Sequence, residues 1–431
     1  MNHNNPFTFG NPIREKSRFI GRKEEINQII SRLLSSAHES TSIVGERRIG
    51  KTSLLKHLAN PDVAEELGLA KNEFCLVYID FQGLTDISPI RFWKRVLRLM
   101  ERSMNNDDIR SEIEKLRKQE EIDLFDLEDL FDLIDDNNLN VVLFMDEFEF
   151  VTQNPNFGGD FFGGLRSLAI HYSLSLVPST RRELVDLCHS DEIKGSPFFN
   201  IFATVVLRPF SFEDAQVLLQ AYTKDTEHSF SDEEISFLLN LAGGYPIFTQ
   251  MGGNYLFTGK KNGLSATMLL EYAIESFQDQ ANQHFSYFWV HSSDSEKITL
   301  LASITLNNAK NRNKNPSSQE NFKKLNVRAP LDLHELVKRG MMIENNGEYK
   351  IFSPIFENWI LLEVSALPGE EESAQDVERW LKESGNDKLG VEKEKYFQIK
   401  KKYWKSFGAF LKDFSTEVIS KITIDMVTGR L

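Results

Sequence analysis

The residues best suited to chemistry lie in the segment GERRIGKT at positions 45–52, which fits the phosphate-binding loop pattern G-x-x-x-x-G-K-[ST]. Gly45 and Gly50 allow backbone N–H groups to wrap around phosphates at the N-terminus of a following helix. Lys51 would reach the β- and γ-phosphates, and Thr52 would offer its hydroxyl to Mg²⁺. The segment therefore predicts a nucleoside triphosphate site. Its predicted contact residues are Gly45, Arg48, Ile49, Gly50, Lys51, Thr52 and Ser53.

A second candidate group follows the apolar run Val141–Met145, which ends in Asp146 and Glu147. The carboxyl end of a buried parallel strand is where open α/β sheets bind ligands. Asp146 would hold the magnesium ion, and Glu147 would orient or deprotonate the attacking water. The alternative is that Glu147 belongs to a solvated acidic loop, which is the position expected for Glu149.

Polar residues also follow the run Leu174–Val177, at Thr180 and Arg181. Thr180 would contact the γ-phosphate or the water. Arg181 would sense the γ-phosphate or reach a neighbouring subunit's nucleotide as an arginine finger, which stabilises developing charge. A solvated basic turn is the competing interpretation of Arg181.

The elements that would position these residues alternate between apolar runs and helical patterns up to about residue 207. Continuous apolar runs are typical of strands buried between helices. They occur at Thr41–Val44, Phe74–Ile79, Val141–Met145, Leu174–Val177 and Phe202–Leu207. The alternation predicts an α/β fold with a parallel sheet.

Beyond this region the pattern changes. Residues 211–285 are predicted to be helical, and residues 286–366 to form helices followed by a hairpin at Asn345-Asn346-Gly347, as in a winged helix. Residues 367–431 are predicted to be charged helices. The predicted domains are therefore a lead-in with a P-loop ATPase domain at 1–210, a helical lid at 211–285, a winged-helix domain at 286–366 and a helical appendage at 367–431.

The order of these motifs resembles STAND-type and archaeal-type P-loop ATPases, relatives of AAA+ proteins. The segment FIGRKEE at 19–25 is similar to the F-x-G-R-x-x-E box that precedes their P-loop, and GGYP at 243–246 is similar to their helical-lid element. The resemblance implies that Phe19, Ile20 and Arg22 lie near the adenine and ribose, and that Pro246 lies against the base. It also implies ATP rather than GTP, and a switch whose nucleotide state controls conformation, oligomerisation or a partner protein.

Composition limits the alternatives. The chain has 431 residues and a net charge of −14, which argues against a surface that coats nucleic acid or anionic membrane as a whole. Its two cysteines and short apolar runs indicate neither a disulfide framework nor a membrane helix. We expect a cytoplasmic protein that binds ATP or ADP with Mg²⁺ and makes no membrane contact.

Two other functions are compatible with the same motifs. One is a DNA-binding ATPase of the initiator or transposition-regulator type, which would use basic residues of the winged-helix segment such as Lys323 and Lys324. A mobile polar loop is the simpler interpretation of that segment. The other is a signalling scaffold, for instance in defence against phage, that binds nucleotide but hydrolyses it weakly.

Overall fold

The computed structural model describes residues 4–84, 86–190, 195, 197–308, 322 and 328–365. These residues form two compact units, of which the first is Gly10–Arg208. The second contains the N-terminal residues up to Phe9 together with the chain from Pro209 onward. The four predicted domains remain predictions, and the predicted appendage at 367–431 lies outside the described residues.

The first unit contains a five-stranded parallel sheet in the order β2-β3-β4-β1-β5. Its strands are β1 (Thr41–Val44), β2 (Phe74–Asp80), β3 (Asn140–Asp146), β4 (Leu174–Thr180) and β5 (Ala203–Val206). The predicted α/β fold with a parallel sheet is confirmed. The central strands are buried along almost their whole length, which explains why they appear in the sequence as continuous apolar runs.

Helices follow or separate the strands of this unit. They are α1 (Lys23–Leu33), α2 (Lys51–Leu58), α3 (Pro61–Glu66), α4 (Pro89–Ser103), α5 (Asp107–Lys118), α6 (Leu124–Asp136), α7 (Glu149–Thr152) and α8 (Gly159–His171). Local sequence fixes several of their starts: the Asn106 side chain accepts hydrogen bonds at the first turn of α5, and Asp123 forms a capping box with Asp126 at α6.

Strand β4 extends further than its apolar run predicts. The apolar run ends at Val177, and Pro178, which follows it, has no N–H to donate to a sheet ladder. In the structure the strand continues, with Pro178 opposite Met145, and Ser179 and Thr180 opposite Ile43 and Val44 of β1. The extension brings the hydroxyl groups of β4 to the carboxyl edge of the sheet, where the candidate site lies.

The second unit is mostly helical. Its helices are α9 (Phe212–Thr223), α10 (Asp232–Ala242), α11 (Pro246–Lys261), α12 (Ala266–Val290), α13 (Asp294–Asn308), α14 (Ala329–Lys338) and α15 (Pro354–Ser365). Ser211 caps α9, and Ser231 forms the predicted capping box with Glu234 at α10. Strands β6 (Met342–Asn345) and β7 (Glu348–Ile351) form an antiparallel hairpin. Asn346 and Gly347 both have positive φ in its turn, as a two-residue hairpin requires.

The Gly243-Gly244 turn before α11 is held by close packing. Gly243 and Gly244 have φ values of 59° and 77°. A Cβ added at Gly244 would lie 2.5 Å from the Phe210 carbonyl oxygen, and one at Gly243 would lie 2.4 Å from that of Phe352. Glycine is required here for both its left-handed backbone and its lack of a side chain.

The N-terminal residues pack into this second unit. Phe7 is buried and stacks on Phe230 with ring centroids 5.6 Å apart, and it also contacts Gly253, where an added Cβ would lie 2.6 Å from its ring. The Asn254 side chain donates to the Phe7 carbonyl at 2.8 Å. The sequence predicts an extended lead-in here, but nothing in its composition indicates that Phe7 would be a core residue.

The winged-helix assignment remains a prediction. Helices α13 and α14 and the β6–β7 hairpin are present, but residues 309–321 and 323–327 lie outside the described part of the chain. The basic residues proposed to contact DNA there, including Lys323 and Lys324, therefore have no structural description. Among the helices described, none is both long enough and apolar enough to span a membrane.

Candidate functional site

The phosphate-binding loop connects β1 to α2, as its pattern predicts. The strand ends at Val44, and α2 begins at Lys51. Gly50 precedes the helix with φ 106°, and Arg48 has φ 68°. These left-handed residues turn the chain so that the N-terminus of α2 faces the loop, which is the arrangement that favours anion binding.

Gly45 is required by packing rather than by its backbone angles. A Cβ at this position would lie 2.8 Å from Ile49 Cγ2 and 3.0 Å from the Leu207 carbonyl oxygen. The backbone N–H of Gly45 donates to the Thr180 carbonyl at 3.1 Å, which fixes the start of the loop against β4.

We expect Gly45→Ala to destabilise the protein by about 1–3 kcal/mol, the usual range for overpacking. The loop would also shift, and nucleotide affinity would fall. Thermal unfolding and nucleotide titration measure the two effects. Gly10→Ala is the matched control, because a Cβ there meets no atom within 4 Å. Equal melting temperatures for the two variants would contradict the packing argument.

Lys51 is buried, and its ammonium group interacts with the loop itself. It donates to the Gly45 carbonyl at 2.8 Å and to the Glu46 carbonyl at 3.3 Å. The carbonyls satisfy the ammonium charge within the loop. A phosphate that binds in the loop would therefore compete for a cation already positioned there.

Asp146 is held at the tip of β3 by two hydroxyl groups. Ser179 donates to its Oδ1 at 2.6 Å, and Tyr78 donates to its Oδ2 at 2.9 Å. Burial and the charge of Asp146 raise the pKa of the Tyr78 phenol, so the phenol keeps its proton and acts as a donor. Neither partner was predicted from the sequence; for Ser179 the available signal was its place among the polar residues that follow the apolar run Leu174–Val177.

The two glutamates after Asp146 lie in different surroundings. Glu147 is half-buried, with φ 55°, in the turn that follows β3. Glu149, expected in a solvated loop, is instead 3% exposed. That expectation is wrong because Glu149 is the first residue of the short helix α7, where its side chain is buried.

Burial is the main cause that raises the pKa of the Glu149 carboxyl, and the charge of Glu147 acts in the same direction. Lys51 and Arg181 lower it, so Glu149 lies within electrostatic range of the phosphate-binding lysine. Its Oε1 accepts a hydrogen bond from Arg181 Nε at 3.0 Å. Its Oε2 is buried without a hydrogen-bond partner among the described residues. The site therefore holds a buried, half-satisfied carboxylate that the sequence did not indicate.

Thr180 and Arg181 are both held by local contacts. The Thr180 hydroxyl donates to the Arg182 carbonyl at 2.7 Å, and Arg181 forms the ion pair with Glu149. The hydroxyl nearest Asp146 on this strand is therefore that of Ser179, one residue earlier. The proposed roles of Thr180 and Arg181 toward a γ-phosphate remain predictions.

The predicted adenine-side residues lie against the loop and its helix. Arg22 is buried, has φ 67° and donates to the Ile49 carbonyl at 3.0 Å while it pairs with Glu25. Phe19 stacks on His57 of α2, with ring centroids 4.0 Å apart, and Ile20 is half-buried beside it in the chain. Arg22 thus stabilises the P-loop through the Ile49 carbonyl. Its contact with a ribose remains a prediction.

The segment from Gly10 to Ile13 also contacts the loop region. The Ile13 N–H donates to Ser53 Oγ at 3.1 Å, and Arg48 Nη1 donates to the Gly10 carbonyl at 3.2 Å. Pro246 lies in the second unit, half-buried in the first turn of α11. Its contact with a base remains a prediction.

Thr52 and Asp146 have the chemistry that a magnesium ion requires. Mg²⁺ prefers oxygen ligands and is usually bound through one or two protein groups together with substrate phosphates. A carboxylate has about four lone-pair sites, so Asp146 keeps acceptor capacity beyond its bonds to Ser179 and Tyr78. When bound, the ion would neutralise charge on the phosphates.

Comparison with known proteins adds a family and a fold. The sequence profile of the family Novel STAND NTPase 2 matches residues 27–303. No curated protein matches the chain. A Walker-type ATPase of Pyrococcus abyssi has a similar structure, with a TM-score of 0.52 and 16% identity over 81% of this chain and 98% of that chain. The ORC2 protein of Aeropyrum pernix, in ADPNP–ADP complexes, gives a TM-score of 0.51 and 13% identity over 84% and 98%. At these low identities, the TM-scores show a similar fold alone.

Proposed function

Because the chain belongs to the Novel STAND NTPase 2 family, we propose that it binds and hydrolyses ATP and that its nucleotide state switches its conformation or assembly. The resemblance to STAND-type and archaeal-type P-loop ATPases, first indicated by its sequence motifs, is confirmed by this match. Hydrolysis, magnesium and the switch are the parts that we propose here.

The observation that supports the proposal is a continuous network from the phosphate-binding loop to the acidic strand. Gly45 bonds to the Thr180 backbone, and the neighbouring Ser179 bonds to Asp146. Strand β4 lies between β1 and β3 in the sheet. Their tips are therefore separated by two strand spacings, or about 10 Å. That separation suits a triphosphate held by the loop with its metal held from β3.

The proposed reaction uses few groups. Lys51 and the loop N–H groups bind the β- and γ-phosphates, and Asp146 with Thr52 holds the metal. Water attacks the γ-phosphorus, the bond to the β-phosphate oxygen breaks, and ADP leaves. Glu147 orients the water and accepts its proton. Hydrolysis of this kind depends mainly on positioning and charge stabilisation, which this edge of the sheet can supply.

Switching requires that the γ-phosphate favour one conformation. A swing from 1:99 to 99:1 needs about 5.5 kcal/mol of differential binding. Hydrogen bonds to charged groups contribute about 1.5–3 kcal/mol each, so two to four contacts with the γ-phosphate would suffice. Lys51 and Arg181 are candidates for such contacts, since both are already held at the loop and sheet edge by groups they could exchange for phosphate.

The experiment combines native mass measurement with phosphate release. We expect the mass or the hydrodynamic radius to differ between ADP and a non-hydrolysable ATP analogue, and phosphate release to require Mg²⁺. No nucleotide-dependent change in either quantity would contradict the switch. Turnover near background together with an ATP-dependent change in mass would favour a signalling scaffold. Stimulation of turnover by DNA would favour an ATPase of the initiator type.

A further inference from the structure

A basic groove lies on the first unit and plays no part in the proposed ATPase reaction. It has a volume of about 490 Å³ and lies between the loop after β2 and the exposed face of α4. Five cationic side chains line it: Arg91, Lys94, Arg95, Arg98 and Arg117. Asp86 is the acidic residue of the lining. The groove therefore concentrates positive charge in a chain whose net charge is −14.

Four of the cations lie on one face of α4. Positions 91, 94, 95 and 98 recur at the spacing of a helical turn, so their side chains are neighbours. The opposite face of the helix is apolar and buried, as Phe92, Val96 and Met100 show. Like charges at this spacing repel one another and weaken the isolated helix. The basic face is thus unfavourable for the free protein unless an anion neutralises it.

The neighbouring helix α5 offers an internal comparison, because its cations are paired. Lys115 pairs with Glu112, and Lys118 pairs with Glu114. Within the described part of the chain, by contrast, no ion pair forms at Arg91, Lys94 or Arg98 of α4. Arg95 has only a long hydrogen bond of 3.4 Å to the Asp80 carbonyl. In the groove, Arg117 pairs with Glu101.

We propose that this groove binds the phosphate backbone of a nucleic-acid strand. Arg91 to Arg98 span about 10 Å at 1.5 Å per residue, and the charges of one duplex strand are spaced by about 3.4 Å along the helix axis, so the basic face is long enough to meet more than one phosphate. The guanidinium groups of arginine suit phosphate oxygens. The proposal goes beyond the ATPase function and does not depend on it.

An acidic helix is the competing occupant of the groove. The chain contains such a helix in α6, whose exposed face carries Asp129, Asp132 and Asp136, so a second copy of the chain offers one. The oligomeric state of the wild type and of the variants described below distinguishes this occupant from a nucleic acid.

The lining also predicts the kind of recognition. Phe92 and Trp93 are buried, so the aromatic residues at the start of α4 do not offer surfaces on which bases could stack. Contacts with phosphates position a nucleic acid but carry no sequence information. We therefore expect binding that is independent of sequence and strongly dependent on salt.

The proposal is tested by fluorescence anisotropy. The full chain is titrated against labelled duplex and single-stranded oligonucleotides over a salt series, without ATP or ADP. The double variant Lys94→Glu/Arg98→Glu should bind more weakly by about tenfold or more at moderate salt. The slope of log K against the logarithm of the salt concentration should be less negative by about two for this variant. Lys115→Glu/Lys118→Glu changes the same charge on α5 outside the groove and should have a smaller effect. Lys94→Gln/Arg98→Gln repeats the test without introducing acids.

Four outcomes would overturn the proposal. In the first, the wild type binds neither oligonucleotide at low salt. In the second, the α4 variants bind as tightly as the α5 control. In the third, Lys323→Glu/Lys324→Glu alone abolishes binding, which would assign oligonucleotide binding to the predicted winged helix. Loss of self-assembly in Lys94→Glu/Arg98→Glu without loss of oligonucleotide binding would assign the face to a second copy. Circular dichroism checks that each variant is folded. Since no ATP is present, failure here is separate from failure of the ATPase proposal.

Discussion

Lys51→Ala should lower affinity for ATP by about 100-fold or more. Each hydrogen bond to a charged group contributes about 1.5–3 kcal/mol, and two phosphate contacts would contribute about 3–6 kcal/mol, where 1.4 kcal/mol is tenfold in affinity. The free protein offsets part of this, because Lys51 gives up its bonds to the Gly45 and Glu46 carbonyls when it binds phosphate. Titration calorimetry with ATP and Mg²⁺ measures the change.

Lys23→Ala is the control for charge, because Lys23 is exposed at the start of α1. It removes one positive charge from the same unit and should leave affinity for ATP within about twofold, since exposed charges are largely screened by salt. Melting curves are needed as well, because Lys51 is buried and its removal leaves two loop carbonyls without this donor. A folded Lys51→Ala protein with unchanged affinity would remove Lys51 from the site.

Glu147→Gln should leave ATP binding nearly intact and reduce turnover by about 10²–10⁴-fold, the usual contribution of general base catalysis. The amide keeps the size of the side chain but cannot accept the proton of the attacking water. Phosphate release under saturating ATP, together with a binding titration, separates the two effects. The predicted pattern is a fall in kcat with little change in the dissociation constant.

A matched variant of Glu149 shows which of the two glutamates accepts the proton of the attacking water. Glu149 lies within electrostatic range of Lys51, and burial raises its pKa, which makes it a competing candidate for proton acceptance. Glu149→Gln should reduce turnover less than Glu147→Gln, because its Oε1 already accepts from Arg181. Normal turnover in Glu147→Gln with stalled turnover in Glu149→Gln would transfer the role to Glu149.

The sequence was a good guide to the fold because its central strands are buried on both faces and appear as uninterrupted apolar runs. It also located the phosphate-binding loop, since that loop depends on local chain geometry at Gly45 and Gly50. The ends of the strands were harder to predict. Pro178 normally ends a central strand, so the extension of β4 to Thr180 and the hydroxyl of Ser179 beside Asp146 were not foreseen.

Long-range contacts account for the other differences. Tyr78 lies 68 residues before Asp146 in the chain, and no local pattern relates its hydroxyl to that carboxylate. Glu149 lies in a polar-looking stretch, and only the inward turn at α7 buries it. Phe7 is a core residue through contacts with residues more than 200 positions away. Such side chains are positioned by tertiary packing, which the periodicity of a single sequence does not encode.

The Arg181 guanidinium pairs with Glu149, so a phosphate that binds Arg181 competes with this carboxylate. Any phosphate that draws Arg181 toward itself, whether in this chain or in a neighbouring one, must exchange one anion for another. Glu149 is 3% exposed, so the loss of its ion pair with Arg181 favours uptake of a proton or outward rotation of the carboxyl group. Recruitment of the arginine and displacement of this carboxylate are consequently a single coupled event, and a protein in which Glu149 is neutral would release Arg181 at a lower energetic cost.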